Sequence, residues 1–375
     1  MTTGAPPRVP FLDLLPAHRE LAAELDAAAL RVLSSGWYVL GPEVEAFEAE
    51  FAAWAGTRHC VGVGSGLDAL HLALLAMGIG PGDEVLVPSN TYIATWLAVS
   101  RAGATPVPVE PDPATGNIDP DRLEDARTAR TRAVLPVHLY GLPADMDAVT
   151  AFAARHGLPV LEDAAQAHGA AVGGRRAGAL GTAGAWSFYP TKNLGAVGDG
   201  GAVTTDDDAL ADRLRSLRNY GSRRKYVHDE RGLNSRLDEL QAAMLRVRLE
   251  HLDAWNARRA AIAARYADGL AGTGLRLPWT PEGMTHAWHV YAVHAPGRDA
   301  LAAALAERGV GTLMHYPTPP HLSGAYADMG LGEGALPIAE RLARETLSLP
   351  MGPQLAPGDV EHVIASVRDV VDAGA

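Results

Sequence analysis

Of the 32 basic residues in this 375-residue chain only Lys192 and Lys225 are lysines; the other 30 are arginines. A GC-rich coding bias accounts for arginine wherever a positive charge alone is required, so a surviving lysine marks a place where guanidinium does not serve. Arginine keeps its proton, whereas an amine can lose it and become a nucleophile. Lys192 lies in the run Trp186-Ser187-Phe188-Tyr189-Pro190-Thr191-Lys192-Asn193-Leu194-Gly195, where an apolar strand delivers a hydroxyl and then the lysine. Gly198, Gly200 and Gly201 follow, and glycine lets a backbone turn and approach a ligand closely.

Two further segments carry chemistry. Gly62-Val63-Gly64-Ser65-Gly66 falls between a strand and a helix, where backbone N–H groups and a helix N-terminus can hold a phosphate; a plain turn is the alternative. A dinucleotide fingerprint would need glycine at position 67, and Leu67 is there, which disfavours a nicotinamide oxidoreductase. In Glu162-Asp163-Ala164-Ala165-Gln166-Ala167-His168 a strand ends in acids, at the edge where open α/β sheets bind ligands. The two acids point to opposite faces and form no acid–base pair; a capping role suits one of them. No histidine or carboxylate set has metal spacing, so no metal is expected.

Together the three segments supply what pyridoxal 5′-phosphate needs: a phosphate cup, a Schiff-base lysine (Lys192) and an acid (Asp163) that keeps the ring nitrogen protonated. Lys192 would also shuttle a proton between substrate carbon and cofactor. Tyr92, after Val87-Pro88-Ser89-Asn90, is placed either to stack on the ring or to serve as a core aromatic.

These residues need a scaffold. Helical spacing predicts helices over 17–35 and 42–54. Short apolar runs at 60–63, 84–87, 105–109, 133–137 and 159–161 read as strands. They alternate with helical segments at 67–77, 92–101, 120–126 and 144–156, which implies an α/β fold with a mostly parallel sheet covered on both faces. A long helix over 235–270 leads to a C-terminal lobe with strands at 288–293 and 312–314 and helices at 299–307, 338–347 and 357–371. The division is therefore a large α/β domain over 1–250, with an N-terminal helical segment, and a small α+β domain over 251–375. The net charge of −12 argues against nucleic-acid binding. Cys60 is the single cysteine, residues 1–9 lack an apolar leader, and no apolar run is long enough for a bilayer; a cytoplasmic protein without a membrane partner is expected.

The chain resembles the DegT/StrS-type sugar-nucleotide aminotransferases, fold-type-I pyridoxal-phosphate enzymes. The matching segments run nearly end to end: Pro10-Phe11-Leu12-Asp13-Leu14, Gly41-Pro42-Glu43-Val44-Glu45-Ala46-Phe47-Glu48, Ser65-Gly66, Glu162-Asp163-Ala164-Ala165-Gln166, Ser187-Phe188-Tyr189-Pro190-Thr191-Lys192, Asn234-Ser235-Arg236-Leu237-Asp238-Glu239-Leu240-Gln241-Ala242 and His315-Tyr316. The resemblance implies that Lys192 carries the cofactor, Asp163 meets its ring nitrogen and Gln166 sits beside its 3′-oxygen. Gly66, Leu67 and Ser187 would hold the phosphate, with Asn234 entering from the partner of a homodimer with shared active sites. Some members have threonine where Leu67 stands, so a side-chain contact to phosphate is missing here. Lys225, in Arg223-Arg224-Lys225-Tyr226, is a candidate contact for a nucleotide-sugar diphosphate, and Tyr189, His315 and Tyr316 would line the sugar pocket. The run from Tyr189 to Gly201 is similar to the branch aminating C3 of dTDP-3-keto-6-deoxyhexoses in antibiotic and other secondary-metabolite sugar biosynthesis. L-glutamate is the implied amino donor, with pyridoxamine 5′-phosphate as the intermediate form. A 4-keto sugar nucleotide or a cyclitol ketone as acceptor, and a non-transaminating dehydratase or sensor, are the alternatives. Dehydrating relatives replace the Schiff-base lysine with histidine, and Lys192 is present.

Overall fold

In the computed structural model, which describes residues 8–374, seven strands build the central sheet: His59–Val63 (β1), Glu84–Pro88 (β2), Thr105–Val109 (β3), Thr131–Val134 (β4), Leu161–Asp163 (β5), Ala183–Ser187 (β6) and Gly201–Thr205 (β7). Their order is β1-β7-β6-β5-β4-β2-β3, with β4 joined to β5 through the parallel bridges Val134↔Val160 and Val137↔Asp163. Every pairing is parallel except those of β7, which runs antiparallel to β1 and β6. The strands are almost entirely buried, as expected for a sheet covered on both faces. The segment expected to be leaderless, 1–9, lies outside the described residues up to position 7.

Helices Leu15–Glu20 (α1), Ala22–Ser35 (α2), Pro42–Ala55 (α3), Gly66–Ala76 (α4), Ile93–Arg101 (α5), Leu123–Ala126 (α6), Met146–His156 (α7), Asp208–Leu217 (α8) and Glu239–Gly269 (α9) surround the sheet. One core cluster joins Leu70, Leu74, Trp96 and Val99 to the sheet, and another joins Phe47, Phe51, Trp186, Phe188 and Leu245. At about 1.5 Å per residue, the 31 residues of α9 span about 45 Å. The division at 250–251 falls inside this helix. Beyond it come Tyr291–His294 (β8), Arg298–Glu307 (α10), Pro337–Glu345 (α11), Thr346–Leu349 (β9) and Pro357–Asp372 (α12). They share a core with Ile262, Tyr266 and the N-terminal Val9. No helix among the described residues is long and apolar enough to cross a membrane.

Several expected boundaries move, for physical reasons. The helix expected over 17–35 breaks at Leu21, whose side chain is buried with Leu25, Met244 and Trp255. The fifth strand begins after Pro159, which has no N–H to give a ladder, and β4 ends before Pro136. Residues 312–314 make one bridge, Leu313↔Ser348, rather than a strand. The helix expected over 338–347 stops at Glu345 because Thr346–Leu349 pairs with Tyr291–His294, so tertiary pairing overrides the helical pattern.

The start of α9 fixes the start of α3. The Glu239 carboxylate is buried and accepts the backbone N–H groups of Gly41, Glu43 and Val44 at 2.7, 2.9 and 3.0 Å. It acts as an N-cap supplied from a distant helix. Glu239→Ala should lower unfolding stability by about 3 kcal/mol in urea titration, with Glu239→Gln losing less because one carbonyl acceptor remains.

Candidate active site

The carboxyl ends of β5 and β6 meet where Asp163 pairs in register with Ala185. Asp163 is buried; its Oδ2 accepts the Thr95 hydroxyl at 2.9 Å and its Oδ1 accepts the Ala165 N–H at 3.2 Å. Burial pushes its carboxyl up, against these hydrogen bonds and the positive field of Lys192. Glu162 points the other way. It accepts the N–H groups of Gly178, Leu180 and Gly181 and pairs with His138 at 2.8 Å. Because His138 Nδ1 accepts from the Ala144 N–H, its Nε2 donates to Glu162. Glu162 is thus the capping acid and Asp163 the one aimed at the site.

Lys192 sits on the connection between β6 and β7. Its N–H donates to the Tyr189 carbonyl at 2.8 Å, and Phe188 is tied to Gly200 and Ala196 on either side of the loop. Asn193, next to Lys192, is clamped by Asn256 at 3.0 Å, the Ala287 carbonyl at 2.7 Å and His289 at 3.2 Å. The Lys192 residue is partly buried. Burial lowers its pKa to about 8, while the Asp163 charge pulls the other way.

The glycine-rich turn forms a cradle. Ser65 caps α4 by accepting the Asp68 N–H at 3.1 Å, and the N–H groups of Gly66 and Leu67 in that first turn have no acceptor within the helix. A Cβ on Gly66 would come within 2.5 Å of the Ser187 Cβ, so only glycine lets the helix end meet that hydroxyl-bearing residue. Ser235 holds the turn by accepting the Gly64 N–H at 2.9 Å and donating to Asp68 at 2.8 Å. The Leu67 side chain packs against the core, leaving only its N–H toward an anion. The donor set fits pyridoxal phosphate: first-turn N–H groups beside a serine, a buried acid opposite, and an amine whose pKa is drawn toward neutrality.

Gln166 closes a ring of contacts. Its Oε1 accepts the Tyr140 N–H at 2.6 Å and its Nε2 donates to the Tyr316 hydroxyl at 2.9 Å; the Tyr140 hydroxyl in turn donates to the His315 carbonyl. His315 bonds Ser348 at 2.8 Å, and burial holds its pKa down to about 4. The Tyr92 and Tyr316 ring centroids stand 5.1 Å apart, with Tyr92 half-exposed. The structure therefore brings Lys192, Asp163, Gln166, Gly66, Leu67, Ser187, Tyr92, His315 and Tyr316 toward the carboxyl edge of the sheet. Tyr189 is exposed beside them. Lys225 stands 5.2 Å from the Tyr226 ring on an exposed loop, and Asn234 is exposed and bridged to Asn219; their contacts are with their own surroundings. Sequence reasoning missed Thr95, Tyr140 and Asn193. Thr95 lies one helical turn beyond the Tyr92 singled out there, and Asn193 adjoins Lys192; Tyr140 carried no signal.

The description of the DegT/DnrJ/EryC1/StrS aminotransferase family matches residues 19–368. The chain is 61% identical over 364 residues to the dTDP-3-amino-3,4,6-trideoxy-alpha-D-glucose transaminase of Streptomyces venezuelae, covering 97% of this chain and 96% of that one. It is 49% identical to the dTDP-3-amino-3,6-dideoxy-alpha-D-galactopyranose transaminase of Aneurinibacillus thermoaerophilus, covering 96% and 99%. The crystal structure of S. venezuelae DesV, in complex with a ketimine intermediate, superposes with a TM-score of 0.96 at 60% identity, covering 98% of this chain and 99% of that one.

Because the folded-state pKa of Lys192 lies below its ordinary 10.5, the unfolded chain holds the extra proton between about 8 and 10.5. This group therefore makes stability rise with pH across that window and costs stability below it. With only two lysines, ε-carbon-labelled cofactor-free protein gives a signal assignable by Lys192→Arg, and its NMR midpoint should fall near pH 8. Asp163→Asn should lower that midpoint further, since the carboxylate charge favours the ammonium form.

Proposed function

The chain belongs to the DegT/DnrJ/EryC1/StrS aminotransferase family, and from that premise we propose that its acceptor is a dTDP-3-keto-6-deoxyhexose, aminated at C3, with L-glutamate as the donor. It is a pyridoxal-phosphate-dependent aminotransferase acting on sugar nucleotides. The observation that carries the finer reading is the convergence of Lys192, Asp163 and the Gly66–Ser187 cradle in a chain 61% identical to a transaminase named for a dTDP-3-amino sugar.

Lys192, Asp163, Gln166, Tyr92, Gly66, Leu67 and Ser187 would hold the cofactor. When bound, pyridoxal phosphate supplies an electron sink that stabilises negative charge on the carbon bonded to the transferred nitrogen. The protein's part is to place protons. The Lys192 amine, with a pKa near 8, is close enough to neutrality to take a proton from one carbon and return it to another. Asp163, fixed by Thr95 and Ala165, is held where its negative charge favours a protonated partner. Tyr316, His315 and Tyr189 stand on the side open to a sugar, and the exposed Lys225 suits a diphosphate.

A homodimer completes this reading. Leu30, Leu33, Trp37, Tyr38 and Val39 are large apolar side chains left exposed on and just after α2, which is unusual on a monomer surface and supports a partner there. Asn234 and Lys225 would serve the neighbouring site.

L-glutamate should bleach the visible cofactor band of the purified protein, and 2-oxoglutarate should restore it. With dTDP-3-keto and dTDP-4-keto 6-deoxyhexoses in parallel, the 3-amino product should form at least tenfold faster. Lys192→Ala should lose turnover by at least about 10⁴-fold and Asp163→Asn by on the order of 10²–10³-fold. Preferential C4 amination would reverse the substrate assignment, and a band untouched by glutamate would remove the donor.

A further inference from the structure

The hydrogen bonds of Asn193, the residue after Lys192, fix the direction of each of its partners. Its Nδ2 gives one hydrogen to the Asn256 Oδ1 at 3.0 Å and the other to the Ala287 carbonyl at 2.7 Å. Its Oδ1 can only accept, so the His289 ring 3.2 Å away carries its proton on Nδ1. Asn256, with its Oδ1 occupied, turns its Nδ2 to the His168 carbonyl and donates at 2.7 Å. One directed chain therefore runs from His289 through Asn193 and Asn256 to His168.

The far end of this chain is coupled to Asp163. Between Asp163 and His168 the backbone turns tightly: Ala167 donates to the Ala164 carbonyl and Ala170 to the Ala167 carbonyl, each at 2.9 Å. Ala164 itself donates to Ala185 on β6 at 2.9 Å. The His168 ring is buried against Trp186 and Phe188, at centroid distances of 5.0 and 5.9 Å. Gly169 makes the contact from α9 possible. Its φ is +99°, and a Cβ there would lie 2.2 Å from the Asn256 Nδ2, so glycine supplies both the conformation and the room. The near end, His289, lies two residues before β8. On that segment Ala287 and Val290 donate to the carbonyls of Gly141 and Tyr140, the corner that also holds Gln166.

We propose that Asn256 is a positioning residue for the transamination: its carboxamide spans the loop that carries Lys192 and the turn that carries Asp163, and so sets the reach of the amine. His289 completes the setting by locking the Asn193 carboxamide. Neither acts on substrate directly. A lysine side chain is long and flexible, so the anchoring of its backbone decides where the amine stands, and a misplacement of about 1 Å can cost about 10²-fold in rate. A carboxamide suits the task because it accepts from one loop while donating to the other. The inference rests on Lys192 as the proton carrier of the reading above, and is independent of which donor or sugar is used.

Cofactor-free protein labelled at the lysine ε-carbon tests the chain without turnover. In Asn256→Leu the Lys192 midpoint should rise from about 8 by at least about half a pH unit, because a loosened loop returns the ammonium to water. In the holoenzyme the saturating rate at which L-glutamate bleaches the visible band should fall at least about tenfold, with the half-saturating concentration changed by less than about threefold. His289→Ala should follow Asn256→Leu in both readouts. His289→Asn, which restores a donor at the Nδ1 position, should stay near the wild type. A folded Asn256→Leu with midpoint and bleaching rate both unmoved overturns the proposal, even if its stability in urea falls. A raised half-saturating concentration at an undiminished saturating rate overturns it as well. If Asn256→Leu does not fold, the same outcomes in His289→Ala decide. A wild-type band untouched by glutamate rejects the donor and leaves the midpoint to decide on Asn256, whereas turnover surviving in Lys192→Ala removes the lysine's role and the proposal with it.

Discussion

Burial draws the Lys192 pKa down to about 8 while the Asp163 carboxylate opposes that fall, and both effects depend on the pair being withdrawn from solvent. In bulk water two such charges would interact weakly. Much of the surrounding architecture can be understood as holding this pair. Parallel pairing of β5 with β6 sets Asp163 against Ala185, Thr95 and Ala165 fix the carboxylate, and Asn193 anchors the lysine's loop to α9 and the 286–289 segment.

Adjacent acids on one strand have been given separate work by the pleat. Glu162 faces inward and gathers three backbone N–H groups and His138, which rigidifies the turn beneath the site without adding a charge to it. Asp163 faces the cleft. If both pointed the same way their repulsion would raise one pKa strongly, and the steady negative charge opposite the lysine would be lost.

The C-terminal lobe reaches the site through a polar chain. Tyr140 donates to Gln166 from its backbone and to His315 from its hydroxyl, and Gln166 holds Tyr316. Buried hydrogen bonds are directional and costly to break, so this ring fixes where the residues facing the sugar stand relative to the strand that carries Asp163.

The sequence alone determined the alternation of strands and helices, the lysine, the acid, the phosphate turn and the family resemblance, because each is local. Apolar periodicity is written within one element, the rarity of lysine needs only counting, and a glycine turn between a strand and a helix is contiguous. Boundaries failed where distant pairing decided them, as at Thr346–Leu349, whose strand exists because Tyr291–His294 lies beside it. Only the tertiary structure decided that Glu239 caps a helix almost two hundred residues away, that Thr95 and Tyr140 belong to the site, and that Arg259 is buried with no acid beside it among the described residues. Those are facts about which groups share a volume, and burial and charge pairing depend on that volume rather than on spacing along the chain.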